Sequence, residues 1–261
     1  MEENLLQWQA EHRVDTASAD WTGLASVRFL CNAMQDTGSR HADALGYGPD
    51  DMQRMGIVWV LARLQLRMIR YPLWNDTMSL RTWFAKKGRL MFHRDFRFDN
   101  AAGEYLGGAT TAWVGFDVKR RRPVRVDALN EEHLHTTTPR AVAEPWRKLP
   151  TIESKRYERT FPVFASHLDM SGHVNNASFP DWLLEPLPMD FRVAHHLAAF
   201  DIAYQSEAFH ANELALQLEP IDENRFIHQI TRPSDNTVIC TACSTWVRRD
   251  HPRSSGWQVK P

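Results

Sequence analysis

FASHLDMSGHVNNASFPDWLLEPLP, running from Phe164 to Pro188, is the stretch on which the reading of this chain turns. An extended segment leads into a polar turn, Asp169 to Asn176. The turn opens an apolar helical pattern (Phe179, Trp182, Leu183) that Pro186 and Pro188 stop. A carboxylate, a hydroxyl, an imidazole and two amides are thus gathered at a helix start. The first N–H groups of a helix lack intrahelical partners and carry partial positive charge, so such a place suits an oxygen on which negative charge develops. Pro180 inside the pattern is compatible with a helix that begins near Asn176.

Working outward, the same order of elements occurs twice. Near the N-terminus, Asp20-Trp21-Thr22-Gly23-Leu24 precedes a helical pattern at Val27, Leu30, Cys31 and Met34, followed by a connection containing Gly38, Gly46, Gly48 and Pro49. A long strand is expected at IVWVLARLQLRMIRY, with Val58, Val60, Ala62, Leu64, Leu66 and Met68 on one face and Arg63, Gln65 and Arg67 on the other. MSLRTWFAKK, LMFHRDFRFDN and EYLGGATTAWVGFDV continue a meander, which predicts a sheet wrapped around one helix. In the second half LDMSGHVNNASFPDWLLE repeats ADWTGLASVRFLCNAMQD, YQSEAFHANELAL repeats MIRYPLWNDTMSL, and CSTWV repeats TTAWV. The offsets are 149 (169 minus 20), 136 (207 minus 71) and 133 (246 minus 113), so the first copy is longer between its helix and its strand. A duplicated unit explains this order economically. The division expected is 1–127 for the first copy, 128–156 for a linker rich in Thr, Pro, Glu and basic residues, and 157–261 for the second copy.

The copies differ where chemistry would reside. Leu24 stands where the second copy has His173, and Tyr71 where it has Glu207. Only the second copy carries both titratable groups, which predicts one reaction centre there and leaves the first copy for binding.

The 261 residues are 43% hydrophobic, enough for a core, and the net charge of -1 gives no global field for nucleic acid. No stretch approaches the roughly twenty apolar residues of a membrane helix. The start, MEENLLQWQAEHRVD, resembles no targeting segment, so the chain is expected in the cytoplasm without membrane insertion. Cys31, Cys240 and Cys243 do not make a disulfide framework. The CxxC pair lies in an alternating run, VICTACSTWV, where residues three apart face opposite ways, and reads as small buried residues.

At these residues the chain resembles the acyl-acyl carrier protein thioesterases of bacteria and plant plastids. The likeness rests on LDMSGHVNNASFPDWLLE and YQSEAFHANEL, and on LGYGPDDM, RYPLWNDTMSLRTW, RDFRFDN and TAWVGFDVKRRRPVR in the first half. It implies an α+β fold of two fused hotdog domains, each a long antiparallel sheet around a central helix, the first binding the acyl chain. It also implies hydrolysis of an acyl carrier protein thioester to free fatty acid, with the carrier protein as partner and no cofactor or metal. The family turn, Asp-x-Asn-x-His-x-Asn-Asn, maps onto Asp169, His173, Asn175 and Asn176, and its following Glu onto Glu207. Two positions depart. Ser171 replaces the first Asn, and Ala208 stands where plant members carry a Cys. The alanine excludes a thiol nucleophile there, which favours a water activated by a carboxylate. In that mechanism Glu207 takes a proton from water, while His173, Asp169 and the helix-start N–H groups polarise the carbonyl. Ser171 gives or takes one hydrogen bond, and Asn175 supports the helix start.

Each residue also has an ordinary explanation. Asp169 and Ser171 are turn formers, Asn175 caps a helix, His173 suits a half-buried position, and a strand Glu is usually solvated. Trp21, Trp59, Trp74, Trp83 and Trp113 are as consistent with core as with an acyl pocket, and no substrate-binding residue is assigned. Lys119, Arg120, Arg121, Arg122 and Arg125, or Arg147, Lys148, Lys155 and Arg156, offer a basic landing for an acidic carrier. His167, His173, His195, His196 and His210 show no metal-ligand spacing on one element. Two further readings are a hotdog enoyl-thioester hydratase or dehydratase, and a non-catalytic acyl-thioester-binding module. Edge-to-edge pairing into a homodimer is open to such a sheet.

Overall fold

The computed structural model describes residues 6–88, 90–125, 138–154 and 157–249. Its strands and helices alternate in the order expected of a duplicated unit. The first set is β1 (Trp8–Arg13), α1 (Val27–Ala44), α2 (Pro49–Arg54), β2 (Ile57–Met68), β3 (Thr77–Lys87), β4 (Met91–Asn100), β5 (Tyr105–Asp117) and the short β6 (Arg122–Val124). The second is β7 (Tyr157–Pro162), a 3₁₀ turn at Ala165–His167, α3 (Ser178–Leu184), α4 (Met189–Ala194), β8 (His195–Tyr204), β9 (Glu213–Pro220), β10 (Arg225–Arg232) and β11 (Thr237–Arg248). Two compact units result. One draws on residues up to Arg13, Cys31–Arg70 and Asp76–Trp146, and the other on Val14–Leu30, Tyr71–Asn75 and the residues from Arg147 on. Much of the expected linker, 126–137 and 155–156, lies outside the described residues.

In the first unit the antiparallel order is β1-β3-β4-β5-β2, with β6 on β5. Helix α1 lies against the face of β4 that carries Arg94 and Phe96. Gly38 was expected in a connection but sits inside this helix, and a Cβ there would meet the Arg94 side chain at 3.3 Å and Phe96 at 3.5 Å. The glycine serves close approach of helix to sheet, and eighteen residues of helical pattern outweigh its weak helix preference.

Strand β2 corrects a second expectation. Its pairing with β5 slips between Leu61 and Arg63, so Ala62 is an inserted residue. A bulge changes the phase of every side chain on one side of it. Ile57, Trp59 and Leu61 therefore pack inward ahead of the bulge, leaving Val58 41% exposed, while Leu64, Leu66 and Met68 are buried after it. The single apolar face expected from Val58 to Met68 is two half-faces in opposite phase.

The other face of β4 holds a buried ion pair. Asp95, fully buried, accepts from Arg140 Nε at 2.7 Å, Arg140 Nη2 at 3.2 Å, Thr110 Oγ1 at 2.7 Å and the Ala141 N–H at 2.8 Å. Four donors compensate the buried carboxylate and fix the segment from Thr138 to Val142 on the sheet.

The second unit has the antiparallel order β8-β11-β10-β9-β7. Its helix is shorter. Phe179, Leu183 and Leu184 of α3 are buried, and Trp182 meets Phe161, His167 and Phe179 edge-on at 4.9–5.3 Å between centroids. Pro180 is the third helical residue, where an N–H has no intrahelical acceptor, so the proline costs no bond there. Pro186 and Pro188 separate α3 from α4 as the sequence predicts. None of the three cysteines is in a disulfide, and burial pushes the Cys243 thiol up to about 11 and Cys240 further still, which makes both inert packing residues. His228 of β10 is fully buried with Nε2 2.8 Å from Ser244 Oγ, and burial lowers its pKa to about 4.

Two stability outcomes follow from these buried groups. Arg140→Ala strands the Asp95 carboxylate and should lower the unfolding free energy by about 3 kcal/mol in urea titration, against under about 0.5 kcal/mol for Arg40→Ala in its exposed pair with Asp36. His228 protonates more readily unfolded than folded, so its contribution is complete above about pH 6.5 and is lost as pH falls towards 4. His228→Gln should remove roughly 3 kcal/mol of the stability difference between pH 7 and pH 4, since each pKa unit is worth about 1.4 kcal/mol.

Candidate active site

The turn expected at the centre of the second copy forms through its own backbone and one carboxylate. Asp169 Oδ1 accepts the N–H groups of Ser171 at 2.8 Å and His173 at 3.3 Å. The Gly172 N–H donates to Asp169 O at 3.0 Å, and the Asp169 N–H to His173 O at 2.8 Å. Gly172 takes φ +78°, a left-handed conformation that favours glycine. The first copy builds the same object. Asp20 Oδ1 accepts from Thr22 N–H at 2.7 Å and Leu24 N–H at 3.3 Å, the backbone bonds of Gly23 and Asp20 measure 2.9 and 2.7 Å, and Gly23 has φ +79°.

The equivalence extends to the strand that follows. The N–H groups of Gln205 and Ser206 share the carbonyl of Ile239, as those of Ile69 and Arg70 share that of Leu106. Trp246 Nε1 donates to Ser244 Oγ at 2.9 Å, as Trp113 Nε1 does to Thr111 Oγ1 at 2.8 Å. The extended bridge His173–Phe209 matches Leu24–Leu73.

That bridge brings the two titratable groups together. His173 Nδ1 lies 3.5 Å from Glu207 Oε1, with the side chains 39% and 53% exposed. Glu207 was expected on a strand, but β8 ends at Tyr204 and Glu207 lies in the connection to β9. The shared Ile239 carbonyl ends the ladder there, so strand alternation does not decide its direction. Ala208 is buried and its carbonyl accepts the Val174 N–H at 2.9 Å, which leaves its neighbour Glu207 outward beside the imidazole. Phe209 packs edge-on to the His173 ring at 5.0 Å between centroids.

The other expected site residues have different tasks. The Asp169 carboxylate accepts the turn's N–H groups, and among the described residues its bonds are to that backbone. The side chain of Ser171 is exposed, without a partner among the described residues. Asn175 spends its Oδ1 on the Ala177 N–H at 2.9 Å and its carbonyl on the Ser178 N–H at 2.8 Å. Two helix-start donors expected to face a developing oxyanion are therefore occupied. In the first copy Leu24 takes the place of the imidazole and Tyr71 Oη donates to the Leu197 carbonyl at 2.9 Å, all three residues lining a cavity of about 110 Å³.

Residues that sequence reasoning missed hold the Glu207 connection. Asn212 Oδ1 accepts the Phe209 N–H at 3.0 Å, and Arg232 reaches both Asn212 and the Glu207 carbonyl. The available signal was Ala211, which the repeat aligns with Asn75 and which takes φ +61° where Asn75 takes φ +76°. An alanine in a left-handed conformation marks a held loop.

A larger cleft, about 570 Å³, lies in the first unit among Arg81, Trp83, Arg97, Asp99, Tyr105 and Arg140, and does not include His173 or Glu207. Of the candidate basic landings, Lys119 to Arg125 surround β6, Arg147 and Lys148 are exposed, and Lys155 and Arg156 lie outside the described residues. Among the described residues no three His, Cys, Asp or Glu side chains are grouped to hold a metal, and no helix is long and apolar enough to cross a membrane.

Comparison with known proteins adds relatives to this geometry. Residues 6–132 match the acyl-ACP thioesterase N-terminal domain and residues 152–248 the acyl-ACP thioesterase C-terminal domain. The chain is 27% identical to the oleoyl-acyl carrier protein thioesterase of Coriandrum sativum over 83% of its own length and 64% of the relative's. It is 31% identical to the palmitoyl-acyl carrier protein thioesterase of Gossypium hirsutum over 70% of its length and 48% of the relative's. It thus spans about half to two thirds of these plant chains, both described as chloroplastic. An acyl-ACP thioesterase structure from Bacteroides thetaiotaomicron superposes with a TM-score of 0.86 over 95% of this chain and 100% of that one, at 21% identity, which establishes the shared double hotdog fold.

The turn makes a testable demand. Asp169→Asn keeps an oxygen for both N–H groups and should unfold within about 0.5 kcal/mol of the parent, while Asp169→Ala loses them and should cost about 1–2 kcal/mol by denaturant titration.

Proposed function

The chain belongs to the acyl-ACP thioesterase family, and from that premise we propose that it hydrolyses the thioester of an acyl chain carried on acyl carrier protein, with Glu207 and His173 as its catalytic pair. One observation carries the assignment of the pair: the 3.5 Å approach of His173 Nδ1 to Glu207 Oε1, present only in the copy whose turn supplies an imidazole. The family's two domains and the names of its relatives support the substrate class.

A separation of 3.5 Å is wide for a direct hydrogen bond and leaves both groups turned towards one space. With its proton on Nδ1, His173 donates to the thioester carbonyl oxygen. Glu207 accepts a proton from a water held next to the carbonyl carbon. The water oxygen bonds to carbon, negative charge gathers on the former carbonyl oxygen against His173, and collapse breaks the C–S bond. The thiolate takes the proton from Glu207, returning the carboxylate. A thioester is already activated, so the pair must align water and carbonyl more than it must make a strong nucleophile. Buried Ala208 offers no thiol for a covalent route.

In this reading Asp169 and Asn175 shape the turn. Ser171, exposed in the same turn as His173, would hydrogen-bond the thioester's pantetheine arm or the attacking water. The first copy, lacking the pair, takes the acyl chain, and the cytoplasm is the place of work.

Thiol release from a long-chain acyl carrier protein thioester tests the proposal. Glu207→Gln and His173→Ala should each lower kcat by about 10²–10⁴-fold with folding unchanged. Water addition to an enoyl thioester without thiol release would instead identify a hydratase. Binding without turnover by the parent would identify a binding module.

A further inference from the structure

The connection that carries Glu207 is held by a polar clamp. Arg232, the last residue of β10, has one fifth of its side chain exposed. Its Nη1 donates to the Glu207 carbonyl at 3.2 Å and to Asn212 Oδ1 at 3.4 Å. Its Nε and Nη2 grip Asp235 at 2.8–3.1 Å, the two-pronged geometry that a guanidinium supports and an ammonium does not. Asn212 Oδ1 also accepts the Phe209 N–H at 3.0 Å, and Phe209 is both the partner of His173 in an isolated β-bridge and its ring neighbour. One guanidinium therefore ties the backbone of the carboxylate to the residue against which the imidazole rests.

We propose that Arg232, oriented by Asp235 and acting with Asn212, is the positioning device that sets Glu207 against His173.

Three observations support it. The Glu207 side chain is 53% exposed, so packing does not fix it and its direction depends on its backbone. Ala211 inside the connection is held at φ +61°, a conformation that costs an alanine about 1–2 kcal/mol and persists only where surrounding bonds over-determine it. The first copy keeps the equivalent left-handed residue, Asn75, but β4 ends at Asn100 where β10 ends at Arg232, and the nearest arginine of β4, Arg97, pairs with Asp99. An arginine at the strand end is thus found in the copy that has a carboxylate to aim. Asp235 neutralises Arg232, and the guanidinium holds the Asp235 carboxyl down to about 2, so the pair stays ionised across the working pH range.

The inference rests on the base role proposed for Glu207, and its test separates the two. Steady-state thiol release is measured for the parent, Glu207→Gln, Arg232→Gln, Asn212→Ala and Asn212→Asp, with circular dichroism and thermal unfolding as controls. Misalignment at a reacting centre is costly even when small. Arg232→Gln and Asn212→Ala should lower kcat about 10- to 100-fold with KM within about threefold, while Asn212→Asp, which keeps the acceptor oxygen, should stay within about threefold of the parent in kcat. Should Arg232→Gln fail to fold, the Asn212 pair decides. Full kcat in Arg232→Gln and Asn212→Ala, a loss appearing in KM alone, or equal losses in both Asn212 variants would overturn the positioning role. If Glu207→Gln is inactive in those cases, the hydrolase reading stands without it. A parent that releases no thiol overturns both.

Discussion

The structure depends on a carboxylate that closes its own turn. Asp169 accepts two N–H groups from the four residues after it, and Gly172 supplies the left-handed step that lets them converge. The outcome is a fixed place for the fifth residue. In the second copy that residue is His173, and in the first, under the same bonds, it is Leu24. The turn is therefore a scaffold that holds an imidazole in one copy and an apolar side chain in the other. Its presence in both copies argues that its first task is structural.

From this follows a division of labour within the site. Residues that polar chemistry would nominate are mostly committed elsewhere: Asp169 to the turn, and Asn175 to the start of α3. What remains facing solvent are an imidazole and a carboxylate 3.5 Å apart, together with the Ser171 hydroxyl. For the hydrolysis proposed above, a thioester would demand little more, since its carbonyl is reactive and its leaving group is a thiolate. On that proposal the demanding part is alignment, which would fall to backbone geometry: the shared Ile239 carbonyl that ends the strand, the left-handed Ala211, and the bonds of Asn212 and Arg232.

Much of this was legible in the sequence because duplication prints its own control. The offsets of 149, 136 and 133 reappear in the hydrogen bonds, pairing Asp169 with Asp20, Gln205 with Ile69, and Trp246 with Trp113. Features that depend on register or on contacts distant in sequence were not legible. The bulge at Ala62 inverts the phase of half a strand without any glycine or proline to announce it. Gly38 looked like a break because the Arg94 and Phe96 side chains that make it useful lie more than fifty residues away. Arg232 gave no signal, since it touches Glu207 across 25 residues through a backbone carbonyl.

The most direct test of the central claim is a single turnover in ¹⁸O-labelled water, followed by mass analysis of both the released acid and the peptide containing Glu207. If Glu207 acts as a base on water, the acid carries one labelled oxygen and the Glu207 carboxylate carries none. Unlabelled acid with the label in Glu207 would mean that the carboxylate attacked the thioester itself, and would contradict the account.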